Sequence, residues 1–187
     1  MSSNAPWAAS WTPANGGLTS IYAVATDDGG ASRRSPAVSF EVRLPPRGLG
    51  TGLRGVCRQN SGPHLGETLA MVVPSLDFPS TTSAWKGLPQ WMVDNFSAEF
   101  TGYLFVEKAD YYTFKLSSDD GSELWLDGER LIDHGTPHSY TAKYASAFLS
   151  VGLHAIRVTY FDDQGHAGLD LSWSSPSFEM HTVAPHE

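Results

Sequence analysis

The chain has 187 residues, 41% hydrophobic and 17% charged, with 18 Gly and 12 Pro scattered between alternating runs. That length holds one full domain and part of another, and the composition is globular, neither fibrous nor disordered. A formal net charge of -8 argues against a nucleic-acid partner, which requires clustered Lys and Arg. The single cysteine, Cys57, excludes an internal disulfide and a cysteine-built zinc site, and is expected to be a small buried hydrophobe. No apolar run of 18 residues is present, so no membrane-spanning helix is expected. The opening MSSNAPWAAS lacks the basic and apolar regions of a signal peptide.

From Trp7 to Val42, Trp11 leads into a Pro-Ala-Asn-Gly-Gly turn. Ile21, Ala23 and Ala25 then alternate with Tyr22, Val24 and Thr26, and Asp27-Asp28-Gly29-Gly30 turns the chain into a strand ending at Val42. Trp11-Thr12 followed by ATDDGGA resembles the last three strands of a bacterial immunoglobulin-like domain. Residues 1–43 are therefore expected to be a truncated β segment, since three strands cannot close a two-sheet sandwich. Residues 44–51, rich in Pro and Gly, are expected to form a linker to a second domain over 52–187. That domain opens with GLRGVCRQNSG, continues through MVVPSLDF, and passes into an irregular loop. There Trp85, Leu88, Trp91 and Met92 are expected to cover one end of the fold, a role preferred to sugar stacking for either Trp.

Residues 94–128 form the centre of the pattern. Phe96, Ala98, Phe100, Gly102, Leu104 and Val106 share one strand face, opposite Ser97, Glu99, Thr101, Tyr103 and Phe105. Tyr112, Phe114 and Leu116 mark a second strand, residues 117–122 a dense turn, and Leu124 and Leu126 a third strand closed by an Asp127-Gly128 hairpin turn. Residues 130–132 make a short strand before an exposed loop over 133–138. Tyr144–Leu149, His154–Phe161 and Leu169–Trp173 complete an antiparallel all-β domain that ends at Ser174-Ser175-Pro176. Glu99, Glu107, Glu123 and Asp170 fall on solvent-facing strand positions, and there is no nucleophile elbow. A non-catalytic domain is expected.

NFSAEFTGYL, the YTF strand, SSDDGSELWLDG, GLHAIRVTYF and AGLDLSWSSP occur in an order that resembles the PA-fourteen domain, named after the fourteen-kilodalton part of anthrax protective antigen. The likeness runs from about Gly52 to Pro176 and implies a β-sandwich or barrel. Such domains occur in bacterial toxins, glycosidases and proteases, and in yeast adhesins that bind sugars through calcium. The sequence departs from the family at Val56 and Cys57, which replace the usual aromatic and are expected to weaken an edge. It departs again at Asp110, which replaces a Gly and implies a different turn.

Three Asp-Asp pairs occur, and Asp27-Asp28 is expected to be only a turn. Asp119-Asp120 and Asp162-Asp163 lie in two strand-to-strand loops that the topology brings together. Calcium needs several oxygens, which two convergent loops supply more readily than one. By resemblance, Asp119-Asp120 is a cis-linked pair chelating calcium, Asp162 the later side-chain ligand with Gln164 as alternative, and the Gln164 and His166 carbonyls lie near. Glycan hydroxyls then fill the ion's open positions. His166, Trp125 and Tyr140 are weaker expectations for sugar contact. His134 and His138 share a spacing that suits zinc on a helix, but Gly135 and Pro137 prevent one. They are expected as exposed loop histidines, with His134 placed to reach a ligand.

The expected function is a carbohydrate-binding module of a secreted or cell-surface protein, working beside other domains of one parent chain with glycan as partner. The alternatives are a metal-free structural or protein-interaction spacer, and an accessory domain shaping a glycosidase active site.

Overall fold

The computed structural model describes residues 17–42 and 52–183. The chain divides into two compact units, Met1–Gly48 and Leu49–Glu187. Trp7, Trp11 and the expected linker lie outside the described residues.

In the first unit β1 (Gly17–Ile21) pairs antiparallel with β4 (Val38–Val42), and β2 (Val24–Thr26) with β3 (Ser32–Arg34). The single strand expected over Ile21–Thr26 is interrupted at Tyr22 and Ala23. Asp27 shapes the tip, its Oδ1 accepting the Ala31 N–H at 2.8 Å and its carbonyl accepting Gly30 N–H at 3.0 Å. Hydroxyl pairs Ser20–Ser39 and Thr26–Ser32, both 2.7 Å, stitch the two ladders. The Arg34 guanidinium sits 3.2 Å from the Tyr22 ring centre.

The second unit is an antiparallel sandwich. Its elements are β5 (Leu53–Gln59), β6 (Thr68–Val73), β7 (Asp77–Thr81), β8 (Phe96–Val106), β9 (Asp110–Asp119), β10 (Ser122–Leu126), β11 (Glu129–His134), β12 (Thr141–Leu149), β13 (Gly152–Asp162), β14 (Ala167–Ser175) and β15 (Phe178–Thr182). One sheet has the order β11-β10-β13-β8-β5-β6. The other runs β12-β9-β14-β15, with β7 also on β14. Each inner face is the apolar half of a period-2 strand. Phe96, Phe100, Leu104 and Val106 of β8 meet Phe114 and Leu116 of β9 and Leu169 and Leu171 of β14, all buried.

Trp85, Leu88 and Met92 close one end as expected: Trp85 lies flat on Phe78, ring centres 4.2 Å apart, and donates its indole N–H to the Ala167 carbonyl at 3.1 Å. Trp91 instead stacks on His64 at 4.2 Å. Cys57 is fully buried, and burial pushes its thiol up to about 11.

Several sequence expectations need correction. β9 continues through Ser117, Ser118 and Asp119, so the turn is shorter than the 117–122 cluster. Ser118 and Ser122 face each other at 2.7 Å inside the core, which lets hydroxyl-bearing residues occupy buried strand positions. β5 is no edge, because β6 and β8 flank it. The fold does not end at Pro176: β15 adds a strand, with Ser172 opposite Thr182. Glu123 is partly buried and accepts hydrogen bonds from Arg130, Trp125 and Thr159. Asp170 pairs in register with Asp77, and burial raises its pKa.

Candidate functional site at the aspartate rim

β9 and β10 belong to different sheets, and the link between them is a cis peptide, Asp119–Asp120, followed by Gly121. Gly121 is required by space. A Cβ there would lie 2.2 Å from Phe161 Cε1, and its carbonyl accepts the Phe161 N–H at 2.9 Å. The Asp119 carbonyl accepts the Tyr160 hydroxyl proton. Burial, followed by the charge of Asp162, raises the pKa of that phenol.

Asp120 points inward and holds two loops at once. Its Oδ1 accepts the His138 N–H at 3.2 Å, and its Oδ2 accepts the Asp163 N–H at 3.0 Å. The Asp119-Asp120 and Asp162-Asp163 loops are therefore in direct contact, as the topology requires. The β11–β12 loop joins them because β11 pairs with β10 while β12 pairs with β9.

These loops surround an open cavity of about 690 Å³. Asp119, Asp120, Gln164, His166, His138 and Tyr140 line it, with Ser80, Pro137 and Ser139. His166 Nδ1 lies 3.5 Å from Ser80 Oγ. The Gly165 N–H bonds Asp94 Oδ1 at 2.9 Å, anchoring the loop that carries Gln164 and His166.

Asp162 sits deeper, at 2% exposure. It continues the inward series of β13 and pairs in register with Phe96. One oxygen, Oδ2, accepts the Asn95 N–H at 3.1 Å, while Oδ1 is buried without a partner. Burial drives its carboxyl up to about 7, opposed by the Asn95 N–H and reinforced by Asp120, Asp94 and Asp119. A buried, unpartnered carboxylate oxygen beside further carboxylates is what a hard cation relieves. Among the described residues no three of His, Cys, Asp and Glu converge closely enough to hold a metal by themselves. A cation at this rim would draw its remaining oxygens from Gln164, backbone carbonyls and ligand. Asp119, Asp120, Asp162 and Gln164 offer oxygen donors of the kind calcium takes, and His138 and His166 line the same cavity.

Two expected ligand contacts lie elsewhere. Trp125 is on the outer face of the six-stranded sheet, away from the cavity lining. Its indole N–H donates to Glu123 at 3.2 Å, and the Arg157 guanidinium lies 4.4 Å from its ring centre. His134 is buried at the end of β11, not exposed in a loop, and does not line the cavity. Its ring stacks on His138 with centres 3.7 Å apart. Burial first, then His138, lower its pKa. His138, not His134, reaches the cavity.

A family model, the PA14 domain, matches residues 90–184. The chain belongs to the PA14 domain family. It is 31% identical over 140 residues to the anti-sigma-I factor RsgI3 of Acetivibrio thermocellus, covering 73% of this chain and 21% of that protein. An anti-sigma factor domain-containing protein from Clostridium clariflavum superposes with a TM-score of 0.63 at 27% identity, covering 72% of this chain and 45% of that one. The chain thus spans about a fifth of the curated relative and under half of that structure. The PA14 sugar-binding domain from an RTX adhesin superposes with a TM-score of 0.59 at 16% identity, covering 73% of this chain and 99% of the domain. At that identity the likeness is one of fold.

Proposed function

We propose that this PA14 domain is a non-catalytic carbohydrate-binding module that uses calcium at the Asp119–Asp120 rim. The observation that carries the reading is the buried, unpartnered Asp162 Oδ1 beneath an open cavity that Asp119 and Asp120 line. Asp119, Asp120 and Asp162 would hold the ion, with Gln164 as a further or alternative ligand. The bound cation supplies open coordination positions for paired sugar hydroxyls. His138, Tyr140 and His166 line the same cavity and would contact the glycan. Asp120 already uses both oxygens to hold loops, a positioning role that favours binding over catalysis. The module would work on a secreted or cell-surface chain, beside other domains of its parent.

The likeness to part of an anti-sigma factor favours a second reading of the parent chain: glycan capture there reports to a signalling partner instead of only anchoring an enzyme or adhesin.

The test is thermal unfolding of the chelator-stripped chain during a calcium titration. An ion that binds only the native state stabilises by RT ln(1 + [L]/Kd), about 2.7 kcal/mol at 100 times Kd. The melting temperature should rise by several degrees, and Asp119→Asn should abolish the rise. A melting temperature indifferent to calcium would refute the metal part of this reading and leave the metal-free interaction module.

A further inference from the structure

One outer face of the sandwich carries aromatic rings that the core does not use. β12 is the edge strand of the five-stranded sheet. Its Ala145, Ala147 and Leu149 pack inward, which turns Tyr144, Ser146 and Phe148 to the opposite face. Tyr144 is 60% exposed, Phe148 59%, and Tyr111, the β9 neighbour of Phe148, 64%. Tyr111 and Phe148 meet edge to face with ring centres 5.5 Å apart. Four residues along a strand place Tyr144 and Phe148 about 13 Å apart.

Hydroxyls make the floor between these rings. Thr113 and Ser146 pair at 2.8 Å, and Ser174 follows on β14 opposite Thr113, while Ser172 is buried and donates to Asp170 at 3.0 Å. Tyr140, a lining residue of the rim cavity, continues the line at its upper end. It immediately precedes β12 and has the strand parity of Tyr144 and Phe148.

The chemistry of the strip selects its partner. Charges of both signs share this face, Lys115 of β9 near Asp170 of β14 with Asp77 of β7 beside it, so neither a polyanion nor a strongly basic partner finds a uniform complement. Exposed aromatic rings lying together mark a contact surface. A pyranose ring offers an apolar C–H face to stack on an aromatic ring, and a hydroxyl edge for Ser and Thr. Rings strung along a flat strand suit several sugars in line.

We propose that the face lined by Tyr144, Phe148 and Tyr111 is a second binding surface, continuous with the rim but independent of metal, for an extended, uncharged, ribbon-like polysaccharide. It adds to the reading of the rim without resting on calcium, since no rim carboxylate takes part.

The 187-residue chain, held in chelator, is mixed with microcrystalline cellulose, insoluble xylan and insoluble mannan, and the retained fraction is measured. At least one should retain it, and Asp119→Asn should be retained equally. Tyr144→Ala and Phe148→Ala should each weaken retention roughly tenfold, about 1.4 kcal/mol, with the melting temperature unchanged because both side chains are exposed. No retention on any of the three in chelator overturns the proposal. So does equal retention of the aromatic variants. Retention that needs calcium and Asp119 but ignores Tyr144 supports the rim and overturns this surface; the converse leaves this surface standing and removes the rim. Light scattering covers the remaining occupant: a wild-type dimer that Phe148→Ala dissociates would assign the strip to a second copy and overturn the proposal.

Discussion

Replacing Asp162 by Asn gives the sharpest thermodynamic test of the rim. The native carboxyl titrates at about 7 against an ordinary 3.8, chiefly because it is buried and then because Asp120, Asp94 and Asp119 face it. Below 3.8 the group is protonated folded and unfolded, and costs nothing. Between 3.8 and 7 the folded chain holds a proton that the unfolded chain has released, so stability falls as pH rises. Above 7 the loss is complete. About three pH units at ~1.36 kcal/mol each is on the order of 4 kcal/mol. Asp162→Asn removes the charge while keeping the shape. In chelator at pH 8 the variant should therefore be more stable than wild type by a few kcal/mol, roughly 10 °C in melting temperature for a unit of this size. The advantage should shrink towards pH 4. Comparing the two proteins at each pH cancels the other carboxylates. Calcium should then raise the wild type and leave the variant nearly unmoved. Urea unfolding from pH 4 to 8 provides the measurement. A wild type less stable than Asp162→Asn by the same amount at every pH, or never less stable, would refute the reasoning.

Other predictions follow from single contacts. Gly121→Ala forces a methyl against Phe161, so urea unfolding should show a loss of about 1–3 kcal/mol. Tyr160→Phe leaves the Asp119 carbonyl without its hydroxyl donor, and should cost about 1 kcal/mol in the same assay. Trp85→Ala removes the ring that stacks on Phe78 and bonds Ala167, and should cost about 3–5 kcal/mol. Trp125→Ala should leave glycan binding unchanged in a titration, because that ring packs between arginines away from the rim.

The strands of the sandwich were legible where one face is apolar and the other polar. β8 alternates over its whole length, and each even-numbered residue from Phe96 to Val106 except Gly102 is buried. Hydroxyls and histidines defeated the same pattern. Ser117 and Ser118 look like turn residues, yet they occupy buried strand positions, Ser118 through its pairing with Ser122. His134 follows Ile132 on the inward face of β11, so strand parity pointed to burial, but the Gly and Pro after it read as loop. β15 escaped notice because Phe178-Glu-Met-His-Thr alternates weakly and follows a proline.

The rim was legible from its aspartates and from loop topology. What sequence missed was depth: His154, Ile156, Val158, Tyr160 and Asp162 share one strand face, which buries Asp162 beneath the cavity instead of beside it. Ser80, Pro137 and Ser139 carried no chemical signature and join the cavity only through the loops that hold them.

Sugar capture at the aspartate rim is the central proposal for this domain. The decisive measurement is binding of the 187-residue chain to an array of mono- and short oligosaccharides, run in calcium and in chelator, with Asp119→Asn alongside. Binding to a defined set of sugars in calcium, absent in chelator and absent for Asp119→Asn, is the predicted result. No sugar bound in calcium, or the same sugars bound equally by Asp119→Asn, would contradict it.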